Sequence, residues 1–174
     1  MDDATLEALV THTKGRLDIR LGLHRAPLER RFNPGLVLSA TLPANFAYAL
    51  GRLADLRGTE LVCDCTVGAS AIPAELQAAF GLPFVLGGDI DGGMLNVGVT
   101  ALGAPGYLDL CQWDCTRLPT RAGVVDVFVF DPPFGIRCGG VKKVMPQGLA
   151  ALGRLVARPH GRIVLLTPKK KAMA

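Results

Sequence analysis

A short apolar run that stops at two prolines constrains the fold more than any other stretch of this chain. Residues 124–130 are rich in β-branched and aromatic side chains, with one acidic interruption. Such a run is typical of a strand buried on both faces of a parallel sheet. Pro132 and Pro133 cannot continue the strand, because proline has a fixed φ and no backbone N–H. Residues 131–135 are therefore expected to form a tight loop beyond the carboxyl end of a buried strand, where open α/β sheets bind ligands.

The composition of this loop suits the binding of a planar amine. Asp131 and the carbonyl of Pro132 could accept hydrogen bonds from the amine, and Phe134 could stack on a base. The rigid turn, with Pro133 inside it, would hold the amine in line with an electrophilic methyl group, so that most of the catalysis would be positioning. The plain alternative is a turn in which the aspartate only caps the backbone.

Strand and helix patterns alternate along the rest of the chain and predict a doubly wound parallel α/β sheet. The other predicted strands of the sheet span residues 60–65, 83–89, 107–112 and 162–167. The predicted helices span residues 71–80, 92–102 and 147–157, and residues 136–146 read as an irregular basic segment.

Residues 1–57 are predicted to be a lead-in to a catalytic core at residues 58–174. Residues 2–12 fit a short helix, and residues 15–23 alternate as in a strand with one wet face. Thr41 can cap a helix that runs to about Leu56, with Pro43 in its first turn. Its expected apolar stripe consists of Leu42, Phe46, Ala49, Leu50, Leu53 and Leu56.

Composition sets limits on the class of protein. A chain of 174 residues points to one domain, and a net charge of +4 is compatible with nucleic acid without being diagnostic. We expect no membrane span, since no apolar run is long enough to cross a membrane. We expect no secretory signal, since the start is acidic. An odd number of cysteines favours a reducing, cytoplasmic compartment. Zinc at Cys63, Cys65, Cys111 and Cys115 is a weaker alternative to core packing, so no metal is expected.

Aspartates follow the ends of successive predicted strands. Asp64, Asp89, Asp114 and Asp131 should therefore surround one crevice at the carboxyl edge of the sheet. The loop at residues 64–70 is made of small residues and opens a helix whose N–H groups could meet a carboxylate. Asp89 is placed to accept hydrogen bonds from ribose hydroxyls, and Asp114 could accept from an adenine amino group. The alternatives are a tight strand-to-helix turn at residues 64–70 and a turn residue at Asp114.

This order of motifs resembles the class I S-adenosylmethionine-dependent methyltransferases, and among them the THUMP-associated RNA guanine-N2 methyltransferases. The resemblance covers roughly residues 20–168. It rests on Asp64 to Glu75, Gly88-Asp89-Ile90-Asp91, Gln112-Trp113-Asp114 with Leu118-Pro119, Asp131 to Gly135, and Gly161 to Thr167.

The resemblance implies a Rossmann-like fold, S-adenosylmethionine as cofactor, and formation of N2-methylguanosine, most simply in tRNA. It assigns Asp64 and Gly68 to the methionine end of the cofactor, Asp89 to the ribose and Asp114 to the adenine. The implied cofactor set is completed by Thr66, Ser70, Ile90 and Cys115, and the implied catalytic set is Asp131, Pro132, Pro133 and Phe134. It also implies RNA as partner, together with a small zinc-containing activator subunit.

Three departures from the family pattern leave alternatives open. Cys65 replaces the usual proline, and Ser70 replaces a glycine, where a side chain could crowd the cofactor if φ is positive. No THUMP domain precedes the core, and the last two strands of the fold are absent from the sequence. The sequence could then be a fragment, a split gene product or a decaying copy. Without the two strands, the strand at residues 163–166 would have an exposed edge that a partner chain could cover. The alternatives are an impaired methyltransferase-like scaffold, or an amine methyltransferase acting on another substrate, such as a DNA adenine or a glutamine side chain.

Overall fold

Strands and helices alternate along the chain in a computed structural model that describes residues 7–22, 41–103, 105–132, 141–156 and 159–167. The strands are β1 (Glu7–Thr13), β2 (Arg16–Gly22), β3 (Val62–Asp64), β4 (Val85–Asp89), β5 (Leu108–Gln112), β6 (Val127–Phe130) and β7 (Arg162–Leu165). The helices are α1 (Ala44–Leu53), α2 (Ala71–Phe80), α3 (Gly92–Leu102) and α4 (Val141–Leu155).

Five of these strands form one parallel sheet, in the order β5-β4-β3-β6-β7. The chain enters this sheet at the central strand β3, proceeds outward through β4 to β5, and then crosses to β6 and β7 on the other side. The predicted doubly wound, Rossmann-like sheet is thus confirmed. The direction of winding changes between β3 and β6, which is where ligands bind in such sheets.

Strand β6 is buried on both faces, as its sequence predicted. Val127 and Val129 belong to the core on one face of the sheet, while Phe128 and Phe130 belong to the core on the other, because successive side chains of a strand alternate. Helices α1 and α2 supply Leu50 and Leu76 to the first core, and α4 supplies Leu152 to the second.

The acidic interruption of the apolar run has a structural role. Asp126 Oδ2 accepts a hydrogen bond of 2.8 Å from the backbone N–H of Leu61. The backbone of Asp126 bonds to Leu61 and Arg162 as well. The residue therefore joins β3, β6 and β7 at the end of the sheet opposite to the predicted crevice, and its carboxylate has a hydrogen-bond partner there.

The predicted helix at residues 2–12 is wrong over the described residues, because β1 occupies residues 7–13 and pairs with β2 as an antiparallel hairpin. Lys14 and Gly15 both have positive φ, 49° and 79°, as the two-residue turns of twisted hairpins require. The strand predicted at residues 15–23 is confirmed as β2. Its apolar side chains are nevertheless exposed, with Ile19 63% exposed.

Helix α1 lies where the sequence predicted, but only part of the expected apolar stripe is buried: Leu50 is in the core, and Leu42 and Leu56 pack against it. Its buried residues include Ala47, Leu50 and Gly51, whereas Phe46 and Leu53 of the expected stripe are 49% and 75% exposed. Small residues face α2 because the two helices approach closely. Thr41 does not cap the helix, since Pro43 is the capping residue and its carbonyl accepts from the first N–H groups.

Helix α4 begins at Val141, so the irregular segment expected through residue 146 is wrong for residues 141–146. Lysine, which occurs twice in this segment, is a good helix former. The domain boundary at residue 57 stays a prediction. None of the described helices combines the length and apolarity that crossing a membrane would need.

Two glycine substitutions should change stability in opposite directions. A Cβ at Gly51 would lie 2.4 Å from the ring of Phe80, whereas one at Gly153 of α4 would meet nothing within 4 Å. We expect Gly51→Ala to destabilise the fold by about 1–3 kcal/mol through overpacking. Gly153→Ala should stabilise it by about 0.5–1 kcal/mol, because alanine is the better helix residue.

Urea unfolding of the two variants beside the wild type measures both effects. Equal changes in the two variants would contradict the close α1–α2 contact.

Candidate functional site

Three of the four predicted aspartates meet at the carboxyl edge of the sheet. Asp64 ends β3, Asp89 ends β4 and Asp131 directly follows β6. Asp64 is almost completely buried, and its Oδ1 accepts a hydrogen bond of 3.1 Å from the backbone N–H of Thr66. The hydroxyl of Thr66 in turn donates to the carbonyl oxygen of Asp131, at 3.2 Å. The loops after β3 and β6 are thereby connected through one threonine.

The loop at residues 64–70 is fastened to β4. The backbone N–H of Gly68 donates to Asp89 Oδ2 at 2.9 Å, and the N–H of Val67 donates to the carbonyl of Gly88, also at 2.9 Å. Asp89 Oδ1 accepts from the N–H of Asp91 at 3.0 Å. Asp89 therefore shapes the loop through both oxygens, and each oxygen keeps a lone pair for a ligand hydroxyl.

Trp113 supports the same loop, a role that the sequence reading missed. Its Nε1 donates to the carbonyl of Cys65 at 3.3 Å. The indole packs so closely on Gly88 that a Cβ there would lie 2.1 Å from the ring. Gly88 is thus required by the approach of an aromatic ring to β4. A lone tryptophan after a strand end was the only sequence signal.

The two loops border a pocket of about 80 Å³ at the switch point of the sheet. Asp64, Thr66, Gly68 and Asp131 line it, as the predicted site requires. Thr41, Leu42 and Met94 also line the pocket, and the sequence analysis gave none of them a place there. Thr41 had been interpreted as a helix cap, which explains the omission.

Buried oxygen atoms around this pocket lack hydrogen-bond partners within the described part of the chain. They are Oδ2 of Asp64, Oδ1 of Asp131 and Oγ1 of Thr41. Burying a polar atom without a partner costs about 1–3 kcal/mol. Atoms of this kind that gather at one pocket are available to the hydrogen-bonding groups of a ligand.

The electrostatics of the pocket favour positively charged groups. Burial raises the pKa of Asp64 well above its usual value, and the neighbouring charges of Asp89 and Asp131 raise it further. Burial also raises the pKa of Asp131. A ligand cation between these carboxylates would relieve the repulsion and restore their ionisation.

Ser70 adopts the conformation that the sequence analysis considered problematic. Its φ is +68°, and it precedes the first residue of α2. The side chain is fully buried against α3, where a Cβ at Gly98 would lie 2.5 Å from the Ser70 hydroxyl. Ser70 is not among the residues that line the pocket. The Ser70 side chain therefore packs against α3, where Gly98 leaves room for it. This position does not support a role of the Ser70 side chain in cofactor binding.

The predicted adenine end of the crevice lies outside this pocket. Asp114 is exposed, and its Oδ1 accepts from the backbone N–H and the hydroxyl of Thr116, both at 2.8 Å. These bonds lower the pKa of Asp114. Asp114 Oδ1 therefore stabilises a turn, which was the alternative interpretation of this residue. Ile90 is 67% exposed, and Cys115 is half-buried in the turn after β5.

The predicted target-binding loop at residues 131–135 is described only as far as its second residue. Pro132 is buried, whereas Pro133 and Phe134 lie outside the described residues. Their roles stay predictions.

Two of the cysteines considered for zinc are part of the core. Cys63 and Cys65 are buried, and burial raises the pKa of both thiols. Among the residues described, no three histidine, cysteine or acidic side chains cluster as metal ligands would. Core packing accounts for these two cysteines.

Comparison with known proteins identifies the family. Residues 35–174 match the model of UPF0020, described as an RMKL-like methyltransferase domain. The chain belongs to this methyltransferase family. The predicted class I S-adenosylmethionine-dependent methyltransferase is thereby confirmed as a family and a fold.

The most similar relatives include enzymes named for guanine methylation. The tRNA (guanine(6)-N(2))-methyltransferase THUMP3 of Bos taurus is 30% identical over 197 residues, covering 100% of this chain and 38% of the relative. The tRNA (guanine(6)-N2)-methyltransferase of Thermus thermophilus is 33% identical over 164 residues, covering 87% of this chain and 49% of the relative.

A solved structure extends the likeness to three dimensions. TrmN from Thermus thermophilus matches with a TM-score of 0.80 at 28% identity, over 96% of this chain and 50% of that one. The chain therefore spans about half or less of the length of these relatives.

The crevice fits the cofactor of this family. S-adenosylmethionine carries a sulfonium and an ammonium group, and the pocket offers two carboxylates, on the buried Asp64 and the half-buried Asp131, each with one buried oxygen that has no partner among the described residues. Asp89, beside the loop, is available to a ribose. Asp64 would hold the methionine part and Asp89 the nucleoside part.

Replacing Asp64 by asparagine should stabilise the fold at neutral pH. Because the pKa of Asp64 is higher in the folded state than in the unfolded state, the wild type loses stability as the pH rises above the unfolded value of about 3.9. Asparagine keeps the acceptor for Thr66 and carries no charge. We expect the melting temperature to rise by several degrees, since about 1 kcal/mol corresponds to about 2–4 °C at this size.

Thermal unfolding between pH 4 and pH 8 tests this expectation, with Asp109→Asn as the control, because Asp109 is exposed on β5. The gain of Asp64→Asn should disappear as the pH falls to about 4. A loss of stability at pH 8 would contradict the assigned burial of charge.

Proposed function

We propose that this chain is the catalytic part of an RNA methyltransferase that transfers a methyl group from S-adenosylmethionine to N2 of a guanine, most simply in tRNA. One observation carries the proposal. The unpartnered carboxylate oxygens of Asp64 and Asp131 face one pocket, at the switch point of a methyltransferase sheet. Such a pocket can bind a cationic cofactor beside the amine that receives the methyl group.

The loop between β3 and α2 would bind the cofactor. Asp64 accepts from the ammonium of the methionine part, and Asp89 accepts from the ribose while it holds Gly68 in place. Asp114 is the proposed acceptor for the adenine, with Ile90 and Cys115 beside it. When bound, S-adenosylmethionine supplies the electrophilic methyl carbon.

Asp131 would position the target. Its unpartnered Oδ1 accepts one N–H of the exocyclic amine, and its backbone is held by the hydroxyl of Thr66. The carbonyl of Pro132 is the second proposed acceptor, and Phe134 stacks on the base. Because the amine is fixed near the methyl group, orientation supplies most of the rate enhancement. The proton leaves the amine late, so a strong general base is not needed.

The names of the relatives support guanine in tRNA over other amines. THUMP3 and the Thermus thermophilus relative are both named tRNA guanine-N2 methyltransferases. A guanine amine inside a helix cannot reach a pocket of this kind, so the target must be unpaired or flipped. No observation on the described residues favours the scaffold alternative.

The RNA and activator partners follow from the resemblance, and the compartment follows from the odd number of cysteines. The net charge of +4 is compatible with RNA. We propose a small zinc-containing activator subunit as a partner; a Haloferax volcanii methyltransferase that shares this fold has been solved in complex with its Trm112 activator. A cytoplasmic location and a partner chain at the β7 edge are also proposed.

Removing the Asp131 carboxylate should abolish transfer but preserve cofactor binding. We expect Asp131→Ala to lower kcat by about 10²–10³-fold, because the amine loses its acceptor where charge develops. The affinity for S-adenosylmethionine should be unchanged. Transfer of labelled methyl groups to tRNA, followed by mass spectrometry of the nucleosides, measures the first effect, and calorimetry measures the second.

Asp109→Ala is the matched control and should retain full activity. Transfer by the wild type should also decline as acidic pH protonates Asp131, at a pH above the usual aspartate range. Equal loss of transfer and of cofactor binding in Asp131→Ala would contradict the division of roles. A methylated product other than N2-methylguanosine would contradict the proposed substrate.

A further inference from the structure

Thr41 lines the pocket but has no role in the mechanism proposed above. It lies just before α1 and lines the pocket together with Asp64 and Asp131. Its Oγ1 is buried and has no hydrogen-bond partner among the described residues. A buried hydroxyl without a partner is costly, and it does not cap the helix that follows. The hydroxyl is therefore available to a ligand.

The surroundings of Thr41 hold this hydroxyl in place. The next residue, Leu42, packs against the core that contains Val62 and Val127. Helix α1 starts directly afterwards and is fixed on α2 by the close approach of Gly51 to Phe80. A hydroxyl on such a rigid segment loses little freedom when a ligand binds.

The other polar side chains of the pocket cannot do what Thr41 can. A ligand cation restores the ionisation of Asp64 and Asp131, and ionised carboxylates only accept hydrogen bonds. The hydroxyl of Thr66 already donates to the carbonyl of Asp131. Among the described side chains that line the pocket, Thr41 is thus the one with an uncommitted donor.

The methionine part of the proposed cofactor carries an ammonium and a carboxylate. The ammonium matches the acceptors, whereas the carboxylate needs a donor. We propose that the Thr41 hydroxyl donates a hydrogen bond to the carboxylate of S-adenosylmethionine and thereby makes Thr41 a specificity-determining residue of the cofactor site. This inference rests on the proposed function, and it adds the segment before α1 to the site.

Calorimetry with two ligands tests the inference. S-adenosylmethionine has the carboxylate, whereas decarboxylated S-adenosylmethionine keeps the sulfonium and the ammonium but lacks it. Thr41→Val keeps the shape of the side chain and removes the hydroxyl, and Thr41→Ser keeps the hydroxyl. We expect Thr41→Val to weaken S-adenosylmethionine about 10- to 100-fold, as for a lost hydrogen bond to a charged group. Its affinity for the decarboxylated ligand should equal that of the wild type.

Thr41→Ser should bind both ligands nearly as the wild type does, which would support the hydroxyl as the active feature. Unchanged binding of S-adenosylmethionine by Thr41→Val would overturn the inference. So would an equal loss for both ligands, since that points to packing or to the ammonium. A folded wild type that binds neither ligand would overturn the proposed function and this inference with it, and the wild-type titration alone identifies that case.

Discussion

The burial of β3 and β6 on both faces of the sheet determines where everything else lies. Both strands are completely buried, so their polar side chains can occur only where the strands end. Because the strands are parallel, Asp64 and Asp131 reach the same edge. Helix α1 closes the core beneath this edge and brings Thr41 to it. One packing constraint thus assembles the pocket from segments that are far apart in sequence.

The pocket is built at a cost in stability. Asp64 is almost completely buried and keeps one oxygen without a partner, and Ser70 has a left-handed backbone conformation that few serines adopt. Such features are common at functional sites, where a ligand later satisfies the unpaired groups. The loop between them is held by the Gly68–Asp89 hydrogen bond and by Trp113 below Cys65. The backbone is therefore fixed before any ligand arrives.

Much of the sheet could be predicted from sequence, because apolar runs and helix signals are local. The bounds of α2 and α3 were predicted residue for residue. The errors arose where tertiary contacts decide. The buried face of α1 follows from its approach to α2, and β1 depends on its hairpin partner. Thr41 could not be placed in the pocket, since a threonine before a helix most simply predicts a cap.

Binding of S-adenosylmethionine to the purified chain, measured by calorimetry for the wild type and for Asp89→Ala, tests the central claim most directly. The variant removes the proposed ribose acceptor and the anchor of Gly68 together. The account predicts that the wild type binds the cofactor and that Asp89→Ala, although folded, does not. A folded wild type without measurable binding, or a variant that binds equally well, would contradict it.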